Sequence, residues 1–231
     1  MYRMGREEIE AVSRVIESKQ LFRIDSKYQE AANFEKELAQ KIGVKYAICL
    51  SGGTPALISA LVGLGIGPGD EVIVPAYTFM ATPLAVLAVG AIPVIAEVDE
   101  SLTIDPNDIV NKISCHTKAV IPVHMVGFPC DMEKIMQIAD EHNIKVVEDA
   151  CQADGGSYKG KRLGSIGHAG TFSFNYFKII SAGEGGAIVT NDRKIYERAL
   201  IYHDVGAPFW TYNKDEYSEP LFIGAQYRVS E

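Results

Sequence analysis

The chain has 231 residues, of which 47% are hydrophobic and 23% are charged, a composition typical of a globular protein. Its net charge of −8 removes the electrostatic attraction on which nucleic-acid binding depends, so we expect no nucleic-acid partner. No apolar run reaches the roughly 18 residues of a membrane span, and the charged N-terminal stretch MYRMGREEIEAV predicts no signal peptide, so we expect no membrane association either.

Helical and strand patterns alternate along the chain without an internal repeat or linker. We predict helices over residues 7–18, 31–42, 55–64, 82–89, 132–142 and 196–202. We predict strands over residues 46–50, 71–74, 93–98, 119–123, 145–148, 170–174 and 186–190, with 93–98 and 119–123 both buried. This order predicts an α/β fold with a mainly parallel sheet and helices on both faces. Ligands of such sheets bind beyond the carboxyl ends of the strands, so we expect site residues there.

The four cysteines carry no metal-site or disulfide signature. They are Cys49, Cys115, Cys130 and Cys151, and no two of them form a C-x-x-C pair. We expect buried free thiols, which suit a reducing compartment such as the cytoplasm, and we predict no metal site.

The segment CLSGGTPAL, residues 49–57, leads from a predicted strand into a helix. Thr54 is a favourable N-cap, and Pro55 fits the first helical turn, where its missing N–H costs nothing. Glycines before a helix N-terminus allow backbone N–H groups to surround an anion. The segment is therefore either a phosphate-binding loop or simply a tight turn between a strand and a helix.

Two other strands are followed by candidate site residues. Tyr77 and Phe79 follow the strand EVIV, where they either pack in the core or stack on a flat ligand. Asp149 follows the strand KVVE, where it is either a solvated loop residue or a site carboxylate. A carboxylate deep in a site can keep a ring nitrogen protonated through a charge-assisted hydrogen bond.

One lysine, Lys178, lies in an apolar stretch of the sequence. Its neighbours are Phe174, Tyr176, Phe177, Ile179 and Ile180. A lone lysine is usually a solvated surface residue, but a buried one loses its charge readily and becomes a nucleophilic amine. Ser173 precedes it and the glycine-rich segment GEGG follows it, which favours a Schiff-base site next to a phosphate.

These segments resemble the DegT/DnrJ/EryC1/StrS aminotransferases, pyridoxal-phosphate enzymes that aminate keto-sugars and cyclitols. The resemblance extends over nearly the whole chain. It is carried, in order, by LFRIDSKYQEAANFEKELAQKIGVKYAI, GIGPGDEVIVPAYTFMATPLAVLAVGAIPV, TIDP, PVHMVGFPCDM, EDACQADGGSYKGKRLGSIG, FSFNYFKIISAGEGGAIVTND and QYRVSE. It implies a type I aminotransferase large domain, with pyridoxal 5′-phosphate as cofactor.

The resemblance also implies roles for residues around the cofactor ring. Lys178 would form the Schiff base with the cofactor and then act as the proton-transferring base. Asp149 would pair with the protonated pyridine nitrogen, Gln152 would hydrogen-bond the phenolic oxygen, and Phe79 would stack on the ring. The cofactor would supply the electron sink, and the protein would supply orientation and charge.

The phosphate would be held, by the same resemblance, by Gly53, Thr54 and Ser173. Family members usually have an Asn-Tyr-Arg motif whose Asn reaches the phosphate of the partner subunit, and this chain has Gln226 in place of that Asn. The family often has His two places after Gln152, where this chain has Asp154 with no assigned role.

The expected activity is transfer of an amino group from glutamate or glutamine to a keto-sugar or keto-cyclitol. A lyase or dehydratase of the same family, like the amino-hydroxybenzoate synthase, is an alternative that keeps its lysine. The sugar dehydrases of the family have His at the position of Lys178, which argues against them here. A non-catalytic ligand-binding or regulatory relative is the third possibility, and the presence of Lys178, Asp149 and Gln152 opposes it.

The resemblance implies a homodimer with a shared active site, the commonest symmetric arrangement. Residues 1–231 are expected to form the cofactor-binding large domain with an N-terminal helical segment. Family members are longer and carry a C-terminal small domain, which we expect to be absent from this chain.

Overall fold

The computed structural model describes residues 4–23, 28–206 and 217–231. The helices are α1 (Arg6–Ser18), α2 (Glu30–Ile42), α3 (Gly53–Gly63), α4 (Ala81–Ala88), α5 (Pro106–Lys112), α6 (Met132–His142) and α7 (Arg193–His203). The strands are β1 (Tyr46–Leu50), β2 (Glu71–Pro75), β3 (Ile92–Ala96), β4 (Thr117–Val120), β5 (Lys145–Asp149), β6 (Ser157–Tyr158), β7 (Lys161–Arg162), β8 (Ala169–Ser173) and β9 (Gly186–Thr190). Residues 24–27, which belong to the first of the family motifs, lie outside the described residues.

Seven strands form one sheet in the order β1-β9-β8-β5-β4-β2-β3. The pairs from β8 to β3 are all parallel, whereas β9 is antiparallel to both of its neighbours, β1 and β8. The predicted mainly parallel sheet is therefore confirmed. Because β9 alone is reversed, β1, β5 and β8 all end at the same edge of the sheet.

The sheet is covered on both faces because its strands alternate their side chains between two apolar layers. Ile48, Val72 and Val147 pack with α3, α4 and α7 on one face. The residues next to them in sequence pack on the other face, with α5 and α6 over one half of the sheet and α2 over the other half. This two-sided burial explains why the strands contain continuous apolar runs.

Three predictions outside the candidate site differ from the structure. The predicted buried strand 93–98 is β3, an edge strand whose Ile92 and Ile95 are exposed, because only β2 pairs with it. The helix α5 was not predicted, although Asp105 caps it by accepting the N–H of Asn107. Cys115 is exposed, whereas the other three thiols are buried as predicted.

Among the described residues, no helix combines the length and the apolar character needed to cross a membrane.

Candidate active site

A cavity of about 880 Å³ opens at the edge of the sheet where β1, β5 and β8 end. All of the predicted site residues except Gln226 line it, namely Gly53, Thr54, Phe79, Asp149, Gln152, Ser173 and Lys178. They come from segments far apart in sequence, and the sheet brings them together because each follows the carboxyl end of a strand or begins the helix after it.

The floor of the cavity at α3 packs tightly against the end of β8 and the residues after β5. A Cβ on Gly53 would lie 2.8 Å from Cβ of Ser173 and 3.1 Å from Sγ of Cys151, so only glycine fits there. The N-cap is Gly52 and not Thr54 as the sequence predicted, because α3 already begins at Gly53, and within the described chain no side chain caps its first N–H groups. Uncapped N–H groups at a helix N-terminus, with a buried serine beside them, can bind an anion.

β9 starts directly against this loop. A Cβ on Gly186 would lie 2.3 Å from the carbonyl oxygen of Gly52 and 2.8 Å from the backbone nitrogen of Gly53. The reversed strand therefore needs glycine at its first residue, and this close approach holds the loop in place. The sequence showed the glycine cluster, but the backbone contact became visible only with the reversed pairing of β9.

Asp149 is a buried carboxylate that accepts two hydrogen bonds at the end of β5. Its Oδ2 accepts the hydroxyl of Thr82 at 2.9 Å, and its Oδ1 accepts the backbone N–H of Cys151 at 3.1 Å. A carboxylate has about four lone-pair sites, so it retains capacity for a ligand N–H in the cavity. The structure thus favours a site group over a solvated loop residue.

Sequence reasoning missed Thr82, which is buried in the first turn of α4. Its only sequence signal is the position at a helix start beyond β2, which also fits an ordinary capping residue. The contact with Asp149 spans 67 positions in the chain and depends on the tertiary structure.

Phe79 stands at the mouth of the cavity, with 64% of its surface exposed. This excludes the core-packing interpretation and leaves the ring available to a flat ligand or to another protein surface. Tyr77 is 45% exposed, so it is not a core residue either.

Lys178 is half-buried in the loop that connects β8 to β9. Its backbone N–H donates to the carbonyl of Asn175 at 2.9 Å, and the side chain of Asn175 accepts the N–H of Phe177 at 3.1 Å and donates to Glu184 at 2.7 Å. Asn175, which the sequence did not reveal as a site residue, therefore fixes the turn that carries the lysine.

The expectation that apolar neighbours bury Lys178 is wrong for most of those neighbours. Phe174 is buried, but Tyr176, Phe177, Ile179 and Ile180 are all exposed, Phe177 to 86%. The loop leaves the sheet after Ser173, so Tyr176, Ile179 and Ile180 lie outside the cavity and Phe177 lies at its mouth. These side chains form an apolar rim instead of a wall around the amine.

Gln226 lies outside the cavity. It is exposed on the C-terminal segment and forms a backbone bridge with Asp204. The next residue, Tyr227, accepts the N–H of Ser51 through its carbonyl at 2.9 Å, so this segment runs beside the loop between β1 and α3. The predicted contact of Gln226 with a partner's phosphate stays a prediction.

Asp154, the residue without a role, holds its carboxylate away from solvent. Both carboxylate oxygens are buried, and neither has a hydrogen-bond partner among the described residues. Burial raises the pKa of this carboxyl from 3.8 to about 6, and the nearby amide of Ile180 and the charge of Lys178 oppose the rise only partly. The folded protein therefore holds an ionised Asp154 at neutral pH only at a cost.

We expect Asp154→Asn to stabilise the cofactor-free protein increasingly as the pH rises. Between about pH 4 and pH 6 the folded state keeps a proton that the unfolded state releases, so the wild type loses stability across this range. Since the carboxyl is partly exposed, we expect the free energy of unfolding of the variant to exceed that of the wild type by about 1–2 kcal/mol at pH 7.5 and by almost nothing near pH 4. Urea unfolding at pH 4.5, 6 and 7.5 measures this, with the exposed Asp140→Asn as control. A gain independent of pH would contradict it.

The cavity fits pyridoxal phosphate. The anion site at Gly53 suits the phosphate, the buried carboxylate of Asp149 suits a protonated ring nitrogen, and Lys178 supplies the amine. A planar ring between these groups would also lie within the cavity that Phe79 and Gln152 line.

Comparison with known proteins agrees with this chemistry. GDP-perosamine synthase of Escherichia coli O157:H7 is 44% identical over 184 residues, which cover 79% of this chain and 50% of that protein. A solved aminotransferase structure from Psychrobacter cryohalolentis shares 41% identity and a TM-score of 0.89, covering 98% of this chain and 59% of that one. The structure of 3-amino-5-hydroxybenzoic acid synthase gives a TM-score of 0.91 at 33% identity, covering 100% of this chain and 59% of that one.

The chain spans about half the length of the curated relatives it matches. The sequence pattern of the DegT/DnrJ/EryC1/StrS aminotransferase family matches residues 3–231, which is nearly the whole chain. The motifs that predicted this family, the type I fold and the cavity all agree, and the chain belongs to the DegT/DnrJ/EryC1/StrS aminotransferase family.

Proposed function

We propose that this protein is a pyridoxal-phosphate-dependent aminotransferase that moves an amino group from glutamate or glutamine to a keto-sugar or keto-cyclitol. The observation that carries the proposal is one cavity that Lys178, Asp149 and the uncapped helix start at Gly53 all line. GDP-perosamine synthase, named for an amino sugar joined to a nucleotide, supports a nucleotide-linked sugar as acceptor. Free buried thiols support a reducing compartment, the cytoplasm.

Each residue has a distinct task in this proposal. Bound pyridoxal phosphate supplies an electron sink for the substrate carbon that bears the nitrogen. Asp149 holds the proton on the ring nitrogen and so maintains the positive charge of the sink. The Nζ of Lys178 would take the proton from the substrate carbon and return it on the other side of the transferred nitrogen. Gly53, Thr54 and Ser173 bind the phosphate and orient the ring.

The proposal is tested by incubating the protein with pyridoxal phosphate, glutamate or glutamine, and a panel of nucleotide-linked keto-sugars and keto-cyclitols. The expected result is an amino product by mass and one equivalent of the donor's keto acid for each product molecule. Turnover of an acceptor without consumption of a donor would reject the transaminase.

That outcome would favour the alternative, a lyase or dehydratase of the same family. The match to 3-amino-5-hydroxybenzoic acid synthase over the whole chain is the observation that supports this alternative. If no cofactor binds at all, the third possibility, a ligand-binding relative, would replace both.

We further propose that the active protein is a homodimer with a shared active site. Phe79, Met80 and Phe177 are exposed, two of them at the cavity mouth, and an apolar rim next to a ligand site is typical of a surface that another chain covers. Residues 1–231 would then be the cofactor-binding large domain with its N-terminal helical segment, and Gln226 would reach the partner's phosphate. Sedimentation analysis with and without cofactor measures the oligomeric state, and a monomer under both conditions would reject the dimer.

We expect Ser173→Ala to weaken cofactor binding by about one to two decades, because a hydrogen bond to an ionised acceptor contributes about 1.5–3 kcal/mol. Turnover of the fully loaded enzyme should change much less, since the phosphate takes no part in the chemistry. Titration of the cofactor-free protein, then rates at saturating cofactor, separates the two effects. The control is Ser59→Ala, which removes a buried α3 hydroxyl that has no hydrogen-bond partner among the described residues. If turnover collapses while affinity holds, the phosphate assignment is wrong.

A further inference from the structure

A fully buried carboxylate, Glu148, joins separate parts of the chain behind the cavity. Its Oε1 accepts the N–H groups of Ile166 and Gly167, both at 2.6 Å. Its Oε2 accepts the N–H of Gly164 at 2.8 Å and lies 3.0 Å from Nε2 of His124, which is also fully buried. A buried carboxylate needs such donors, so Glu148 holds His124 and the 160s loop in fixed positions.

His124 has a defined tautomer in this setting. Its Nδ1 accepts the backbone N–H of Cys130 at 3.2 Å, so the ring proton is on Nε2 and is donated to Glu148. Its backbone N–H donates to the carbonyl of Asp149 at 3.1 Å, and its carbonyl accepts the N–H of Gly127 at 3.2 Å. His124 therefore holds the turn that follows it through its backbone at the start and through its imidazole at Cys130.

This turn contains an unusual residue. Val126 has φ +53° and Gly127 has φ +88°. The left-handed region is unfavourable for a β-branched residue, and such backbone conformations persist where the surrounding structure imposes them, commonly near functional sites. His124 lies directly before this turn, and its carbonyl accepts the N–H of Gly127.

The turn contacts a site residue. The N–H of Val126 donates to Oε1 of Gln152 at 3.1 Å, and Nε2 of Gln152 lies 3.4 Å from Sδ of Met125, a weak acceptor. Because the amide oxygen is engaged by a backbone donor, the NH₂ group is the end that remains available as a donor to a ligand in the cavity.

We infer that His124 is a positioning residue which, together with Glu148, holds the Val126 turn and thereby orients the Gln152 amide with its NH₂ group toward the ligand. The inference rests on the proposed function for the acceptor of that NH₂ group, the phenolic oxygen of bound pyridoxal phosphate. An amide turned the other way would place its oxygen against the negative phenolic oxygen, which is unfavourable.

The first test is the pH titration of the absorbance of the bound cofactor. A donor stabilises the negative charge of the phenolic oxygen, so its loss raises the midpoint by about 1–2 pH units. We expect this rise in Gln152→Ala and in His124→Ala. His124→Gln should give a smaller rise, because its side-chain NH₂ can replace the Nε2 donor to Glu148. The exposed control His116→Ala should leave the midpoint unchanged. His124→Ala should add nothing in a Gln152→Ala background. A full further shift there, or a lower melting temperature with an unchanged midpoint, would overturn the inference.

A second readout needs no cofactor. The side-chain amide resonance of Gln152, identified by its loss in Gln152→Ala, should move in His124→Ala and stay near its original position in His124→Gln. If His124→Ala does not fold, His124→Asn, which is too short to reach Glu148, takes its place. A wild type without a cofactor absorbance band would reject the proposed function, whereas an unmoved Gln152 resonance in the folded variant would overturn the role of His124.

Discussion

Lys178→Ala is expected to abolish turnover and the near-visible absorbance of the bound cofactor while the protein stays folded. The variant loses both the amine that forms the Schiff base and the base that moves the proton, so we expect rates to fall by at least about 10⁴-fold. Lys178 is half-buried in a loop that backbone hydrogen bonds hold, so stability should change by less than about 0.5 kcal/mol. Absorbance spectra, product formation and urea unfolding measure the three effects.

Chemical labelling makes the assignment of Lys178 specific. Borohydride reduction of the wild type should leave the cofactor mass on the peptide that contains Lys178, and the variant should carry no label. Lys118→Ala, at an exposed lysine on β4, is the matched control and should retain label, absorbance and turnover. A label on any other lysine of the wild type would reject the assignment.

Asp149→Asn is expected to reduce turnover by about 10²–10³-fold, because a preorganised charge contact in a buried site contributes on this scale to transition-state stabilisation. An amide cannot hold the proton on the ring nitrogen as a carboxylate does. Cofactor affinity should fall much less, since the anion site at Gly53, Thr54 and Ser173 is untouched. Cofactor titration and rates at saturating cofactor separate the two effects.

The hydrogen bond from Thr82 to Asp149 allows a milder change to be compared with Asp149→Asn. Thr82→Val keeps the carboxylate and nearly the shape of the threonine but removes the 2.9 Å hydrogen bond to Oδ2. We expect a loss of about tenfold in turnover, on the scale of one hydrogen bond to a charged group. If Asp149→Asn retains wild-type turnover at saturating cofactor, Asp149 is not the partner of the ring nitrogen.

The sequence by itself determined the alternation of helices and strands and the positions of the cavity residues. The central strands of the sheet are buried on both faces, so their apolar runs are visible locally. A residue that ends such a strand must reach the ligand-binding edge of a parallel sheet. The local pattern alone therefore indicates candidate site residues at Gly53, Phe79, Asp149, Ser173 and Lys178. The family motifs assign their roles and add Gln152.

Only the tertiary structure decided the direction of strand pairing and which distant residues contact one another. Periodicity reports burial but not the direction of pairing, so the reversal of β9 and the close approach of Gly186 to Gly52 were not visible. The hydrogen bond from Thr82 to Asp149 joins α4 to β5, whose sequences do not indicate each other.

Exposure and desolvation likewise depend on the assembled chain. The aromatic neighbours of Lys178 look like core residues in sequence, but the loop carries them outward. Asp154 looks like an ordinary turn aspartate, yet both of its carboxylate oxygens are buried with no hydrogen-bond partner among the described residues, and this burial raises its pKa. The environment of a titratable group is set by atoms that converge from distant segments, and local sequence does not encode that convergence.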